Sequence, residues 1–195
     1  MKSRIFALLI FLCAALWAAP NPASAKDNAA LARCERKLDH IEANGRAVHP
    51  NQTPTVLTEQ ELNAYLASDQ IALPAGVESV KLEGEQPGSV NGRARIDFDK
   101  VRAGVRSSNP LLEIFSGIHE VVVNTHAHAA GGQAYVHVDS VSLDGIEVPR
   151  FVLQLFVEKY LETKNPQIGL DSRFALPDRI DRATVGQHQI TLTQK

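Results

Sequence analysis

The stretch Pro149–Leu161, PRFVLQLFVEKYL, constrains this chain more than any other. Proline at the first turn of a helix is harmless, because the amide it lacks would have no partner there. Arg150, Gln154, Glu158 and Glu162 then recur at every fourth position and define one narrow polar stripe. Phe151, Val152, Leu155, Phe156 and Tyr160 face most other directions, and Lys159 is the exception. A helix apolar around so much of its circumference has to be covered on several sides, by the rest of the protein or by a ligand.

The amino terminus sets the compartment. Lys2 and Arg4 precede an apolar run from Ile5 to Ala19, and Ala23-Ser24-Ala25 is a small-residue cleavage site. The run is short for a membrane span, so the segment reads as a secretory signal peptide covering 1–25. Neither Cys13 nor Cys34 has the small-residue flank of a lipoprotein signal. A soluble, secreted or periplasmic protein is expected. The formal net charge is −2, and loss of Lys2 and Arg4 makes it two units more negative, which speaks against a polyanion such as nucleic acid as partner. Cys34 is the one thiol left after cleavage, so no internal disulfide can form and packing must supply the stability.

Leu31, Cys34, Leu38 and Ile41 share one stripe of a helix over Asp27–Ala43, ended by Asn44-Gly45. On that stripe Cys34 reads as a small buried hydrophobe, with an intermolecular bridge as the alternative. After a polar connection, Thr58 and Glu61 have capping-box spacing ahead of Leu62, Tyr65 and Leu66. Val77–Glu85 begins a strand, Gln86-Pro87-Gly88-Ser89 turns, and in the next run Ala94, Ile96 and Phe98 alternate with Arg93, Arg95, Asp97 and Asp99. The charged face reads as cross-strand ion pairing. Pro110–Gly117 suits a short helical turn. Gly131-Gly132 suits a tight turn between two strand-forming arms, and the last residues read as a hairpin turning at Gly186-Gln187.

These elements predict an α+β protein: a strongly curved antiparallel sheet of about five or six strands wrapped around the long apolar helix, with two amino-terminal helices. Gly84, Gly88 and Gly92 are where such a sheet could bend. Residues 26–54 form an amino-terminal helix and linker, and 55–195 the sheet and helix.

LTEQELNAYL followed by a strand after Leu-Pro, then SLDGIEVPRFVLQLFVEKYL and FALPDRIDRATVGQHQITL, resembles the bacterial LmeA-like and YpmS-like exported proteins, relatives of the tubular lipid-binding (TULIP) group. The resemblance covers roughly Thr55–Val101 and Val141–Leu192. It implies a curved sheet around a helix, lipid chains held in an elongated groove, transient contact with a membrane surface, and no catalytic set or cofactor. The first helix has no counterpart in that family, and the His-rich hairpin is not one of its features.

That hairpin carries the rival chemistry. A two-residue turn at Gly131-Gly132 pairs Ala130 with Gln133 and puts His126 opposite His137, with His128 two residues along on the same face. His126, His128 and His137 could hold zinc, with Asp139 or water in fourth place, and zinc hydroxide could hydrolyse an ester. A solvated polar face is the simpler account. There is no Gly-x-Ser-x-Gly elbow, phosphate-cradling glycine loop or Cys-x-x-Cys pair. The sequence therefore points first to a non-enzymatic binder of a lipid or similar hydrophobic molecule, with Phe98, Phe151, Val152, Leu155, Phe156 and Tyr160 as liners. A zinc hydrolase and an envelope scaffold stand behind it. Amino-terminal sequencing of the exported protein should read Lys26-Asp27-Asn28; a chain still beginning at Met1 would overturn the cleaved leader.

Overall fold

The computed structural model of the protein describes residues 25–104, 116–158 and 169–195. The first expected helix is α1 (Ala25–Arg46), and its apolar stripe is buried, with Cys34 and Ile41 sealed from solvent. Burial first, and then the Glu61 carboxylate, push the Cys34 thiol up to about 12, so it is an inert core side chain. β1 (Thr55–Thr58) leads directly into α2 (Glu59–Leu66). The capping box is present: the Glu61 amide donates to Thr58 Oγ1 at 3.3 Å, and the Thr58 amide donates to Glu61 Oε2 at 2.9 Å. Lys37 Nζ at 2.7 Å and Arg33 Nε at 3.2 Å, both from α1, donate to the same buried carboxylate. One side chain thus caps α2 and pins it to α1.

The sheet follows from alternation. β2 (Val77–Gln86) and β3 (Ser89–Asp97) form a hairpin, and β3 pairs along β4 (Ile118–Ala130). β4 turns at Gly131 and Gly132, both at positive φ, into β5 (Gln133–Leu143). The register is the expected one, with Ala130 opposite Gln133 and His126 opposite His137. β5 also pairs with the short β6 (Ile146–Glu147) and with β7 (Asp171–Ala175). β8 (Ile180–Gly186) and β9 (Gln189–Gln194) close the chain as a hairpin, with β1 beside β9. The nine strands make one antiparallel sheet in the order β1-β9-β8-β4-β3-β2, with β5 branching from β4. The two ends of that path do not pair with each other.

β4 is the fork. From Ile118 to His126 it pairs with β3, and at Ala129 the pairing passes to Ala183 of β8. The two branches touch again where the His188 amide donates to Gly84 O at 2.9 Å. A Cβ on Gly84 would lie 2.7 Å from Gly186 O, so this closest approach requires glycine.

Two core clusters cover the inner face. In the larger, Cys34, Leu38 and Ile41 of α1 and Leu62, Tyr65 and Leu66 of α2 pack on β1, β8 and β9. In the smaller, Phe98, Val121 and Val123 pack with Val141, Leu143 and Phe156. The outer face carries cross-strand pairs, Arg93 with Glu120 at 3.2 Å and Arg95 with Glu78 at 3.1 Å.

Several expectations need correction. Among the described residues there are nine strands rather than five or six: β1, β6 and β7 escape a reading by pattern, because runs of two to five residues carry too little alternation. β3 ends at Asp97, whose Oδ1 accepts from the Asp99 and Lys100 amides at 3.0 and 3.1 Å, so Phe98 opens a short helix, α3 (Phe98–Gly104), instead of extending the strand. The final turn falls at Gln187-His188, one residue later than expected. Most important, the described helix of the apolar segment is not an enclosed rod. That helix, α4 (Arg150–Phe156), has seven residues, none of them buried, with Phe151 69% and Leu155 50% exposed. Nor is the sheet closed or curled around it. The large core lies under α1 and α2, so α4 sits at the margin and only Phe156 packs on a core cluster. Tyr160 and most of the expected helical turn, residues 110–115, lie outside the described residues.

Burial alone would raise the pKa of Glu61, but the hydrogen bonds from Lys37 and Thr58 outweigh it and hold the carboxyl below its ordinary value. A depressed carboxylate contributes stability above its unfolded pKa of about 4.3, and that contribution is lost as pH falls through the folded value. Glu61→Ala should cost about 2–4 kcal/mol in urea unfolding at pH 7, for the lost cap and the stranded Lys37. Glu61→Gln should cost roughly half and reduce the steepness of acid unfolding below about pH 4. A change under about 0.5 kcal/mol for Glu61→Ala would contradict the pinning role.

Candidate functional site

Where the two clusters meet, the inner face is built from small residues. Gly92 and Ala94 of β3, Ala127 and Ala129 of β4, Ala134 of β5 and Ala183 of β8 all border a cavity of about 140 Å³. Leu66 of α2 and Leu82 of β2 close it from the larger cluster, and Val123 from the smaller. Gly92 is decisive. A Cβ there would make ordinary contact with Leu82 Cδ2 at 3.7 Å and Val123 O at 3.8 Å, so a Cβ fits without displacing a neighbour. Thr125 and Tyr135 are among the few polar residues at its border.

None of the five described residues expected to line a groove, Phe98, Phe151, Val152, Leu155 and Phe156, lines this cavity. Phe98 is buried in the smaller cluster, its ring edge-on to His119 with centroids 5.6 Å apart. Phe156 is half-buried against the same cluster, and Val152 is half-buried on α4. Phe151 and Leu155 stand in solvent. The residues that do form the cavity have a signal of their own: Gly and Ala at the inward positions of NGRAR, HAHAA and RATV, where a well-filled sheet face would carry Val, Ile or Leu.

The outer face brings His126 and His137 together as expected, but not His128. His126 Nδ1 donates to Asp139 Oδ2 at 2.6 Å, and His137 Nδ1 donates to Asp171, which also lies 3.5 Å from Arg150. His128 instead stacks on Tyr135, centroids 5.0 Å apart, with the Arg173 guanidinium also 5.0 Å from that ring. Among the described residues, no three His, Cys, Asp or Glu side chains are already arranged to hold a metal ion. The expected trio is therefore not assembled. His188, at the last turn, pairs with Glu59 at 2.7 Å.

His119 joins three segments. Its Nδ1 lies 2.6 Å from Asp144 Oδ2 and its Nε2 3.0 Å from the Ser116 carbonyl. Both partners are acceptors, so the ring must donate from both nitrogens, which only the imidazolium does. The hydrogen bond to Asp144 is the main reason its pKa lies above the ordinary value. The same bond holds the Asp144 carboxyl below its own.

No family model matches the sequence, and neither a curated protein nor a solved structure does.

A raised histidine pKa contributes stability that is fully present below the unfolded value, about 6.5, and is lost as pH rises through the folded value. Replacing His119 by Gln should therefore lower Tm more at pH 5.5 than at pH 8.5. An equal loss at both would show that the pair acts as a neutral hydrogen bond.

Proposed function

We propose that this chain is an exported, non-enzymatic binder of a hydrophobic small molecule, and that the molecule's apolar end enters the cavity bordered by Gly92, Leu82 and Val123. The observation that carries the reading is the omission of side-chain volume from one patch of an otherwise packed sheet face. Cavities of about 150 Å³ lined by aliphatic side chains take one benzene-sized molecule, so this one suits a single ring or the last few carbons of a chain. Each methylene moved there from water would contribute about 0.8 kcal/mol. The rest of a longer ligand would lie outside, towards the apolar side chains that α4 leaves half-buried or exposed. The leader-like segment 1–25 and the resemblance to TULIP-type proteins point the same way. The version in which the sheet wraps a long helix has less support, since no side chain of Arg150–Phe156 is buried.

Filling the cavity separates binding from folding. Gly92→Val adds a β-branched side chain to a strand position with room for it, so it should raise stability by about 1 kcal/mol. It should also abolish the fluorescence enhancement of N-phenyl-1-naphthylamine seen with the unaltered protein. Unchanged dye affinity in a stabilised Gly92→Val protein would place binding elsewhere.

A further inference from the structure

The outer face of the β4–β5 hairpin carries a second, chemically different feature that the cavity reading does not use. A bulge in the β4–β5 register, between Asn124/Ser140 and Thr125/Val138, leaves Asp139 without a cross-strand partner. It sets the Asp139 carboxylate between two imidazoles that face each other across the hairpin. Asp139 Oδ2 is 2.6 Å from His126 Nδ1, and Oδ1 is 3.9 Å from His137 Nε2. Behind His137, Asp171 of β7 accepts from Nδ1, and Arg150 lies on the far side of Asp171. With Nδ1 donating to a carboxylate, the neutral ring has its proton on Nδ1 and a free lone pair on Nε2, the atom turned towards Asp139. Carboxylate behind, imidazole in front and an open Nε2 is the arrangement by which proteins orient a metal-ligating histidine.

We propose that His126, His137 and Asp139 form a surface site for a divalent transition metal ion of the zinc class, with Asp171 as the positioning residue for His137. The hydrogen bond from His126 Nδ1 holds the Asp139 carboxylate in place, with His137 Nε2 3.9 Å from its other oxygen. On binding, that hydrogen bond is replaced by bonds from both groups to the metal, of about 2.0–2.2 Å each. The proton of His126 Nδ1 shifts to Nε2 by tautomerisation, so no net proton need leave. Mixed imidazole and carboxylate donors suit zinc, and also cobalt or nickel, better than calcium or magnesium. His128 is not a ligand, because its ring is engaged on Tyr135. All three donors are partly exposed, so water completes the shell and the site binds without a buried pocket for a substrate. The inference stands independently of the hydrophobic cavity, which none of the three donors borders.

The test is titration of the tag-free protein with zinc by calorimetry at pH 7.5, with cobalt in parallel for its visible spectrum. The expected result is saturable one-to-one binding of zinc, and a cobalt spectrum that appears at the same stoichiometry. The double variant His126→Asn/His137→Asn should lose both while its Tm and its dye binding stay close to those of the parent. Asp171→Asn should weaken zinc binding by about tenfold, with cobalt still bound and its spectrum shifted, as expected when a ligand histidine loses its orienting carboxylate. Calcium should not compete at a thousandfold excess. Absence of saturable zinc binding in the parent protein, or zinc binding undiminished in the double variant, would overturn the site.

Discussion

The structure depends on how the inner face of one open sheet is covered. A nine-stranded sheet with one wet face must hide the other, and here the cover comes from two directions that do not meet. At one end α1 and α2 act as a unit, because Glu61 caps one helix and ion-pairs with the other. At the other end Phe98 and Phe156 supply a smaller cover over Val121, Val141 and Leu143. Between them the strands carry Gly and Ala, and that choice sets what the gap can do. A ligand seated there gains apolar contacts with the residues that border the space.

Beside the gap β4 passes its pairing from β3 to β8. Gly84 then lets the β2–β3 hairpin close against the β8–β9 turn, which keeps the space bounded by backbone on that side. Polar pairing on the other face, from Arg93–Glu120 to His126–Asp139 and His137–Asp171, fixes register while leaving the inner surface to packing alone.

Much of this is legible in the residues. The stripe Leu31-Cys34-Leu38-Ile41, the Thr58–Glu61 box and the Gly131-Gly132 turn are local signals with one physical meaning each, and all three stand as read. Ala72-Leu73-Pro74 and Ala175-Leu176-Pro177 enter their strands by the same turn: the Pro74 carbonyl accepts from Val77 N at 2.9 Å, and that of Pro177 from Ile180 N at 3.0 Å. Other features depend on tertiary context. PRFVLQLFVEKYL reads as the centre of the fold because of its apolarity. Apolarity says that a segment wants cover, not that it receives it, and α1 and α2 hold the larger core. Bulky aromatics draw the eye to a binding site, whereas a cavity is made where side chains are small. Two further features come from distant partners and have no local signature: β7, which pairs with β5 across 34 residues of sequence at His137 and Asp171, and the fork at Ala129.

The space beside Gly92 is bordered mostly by apolar side chains, as a nonpolar guest requires. Crystals of the exported protein pressurised with xenon test this most directly. The account predicts one well-occupied xenon atom in van der Waals contact with Leu82 and Val123 next to Gly92, absent in crystals of Gly92→Val. Leu82 and Val123 packed directly against each other, with no xenon between them, would contradict it.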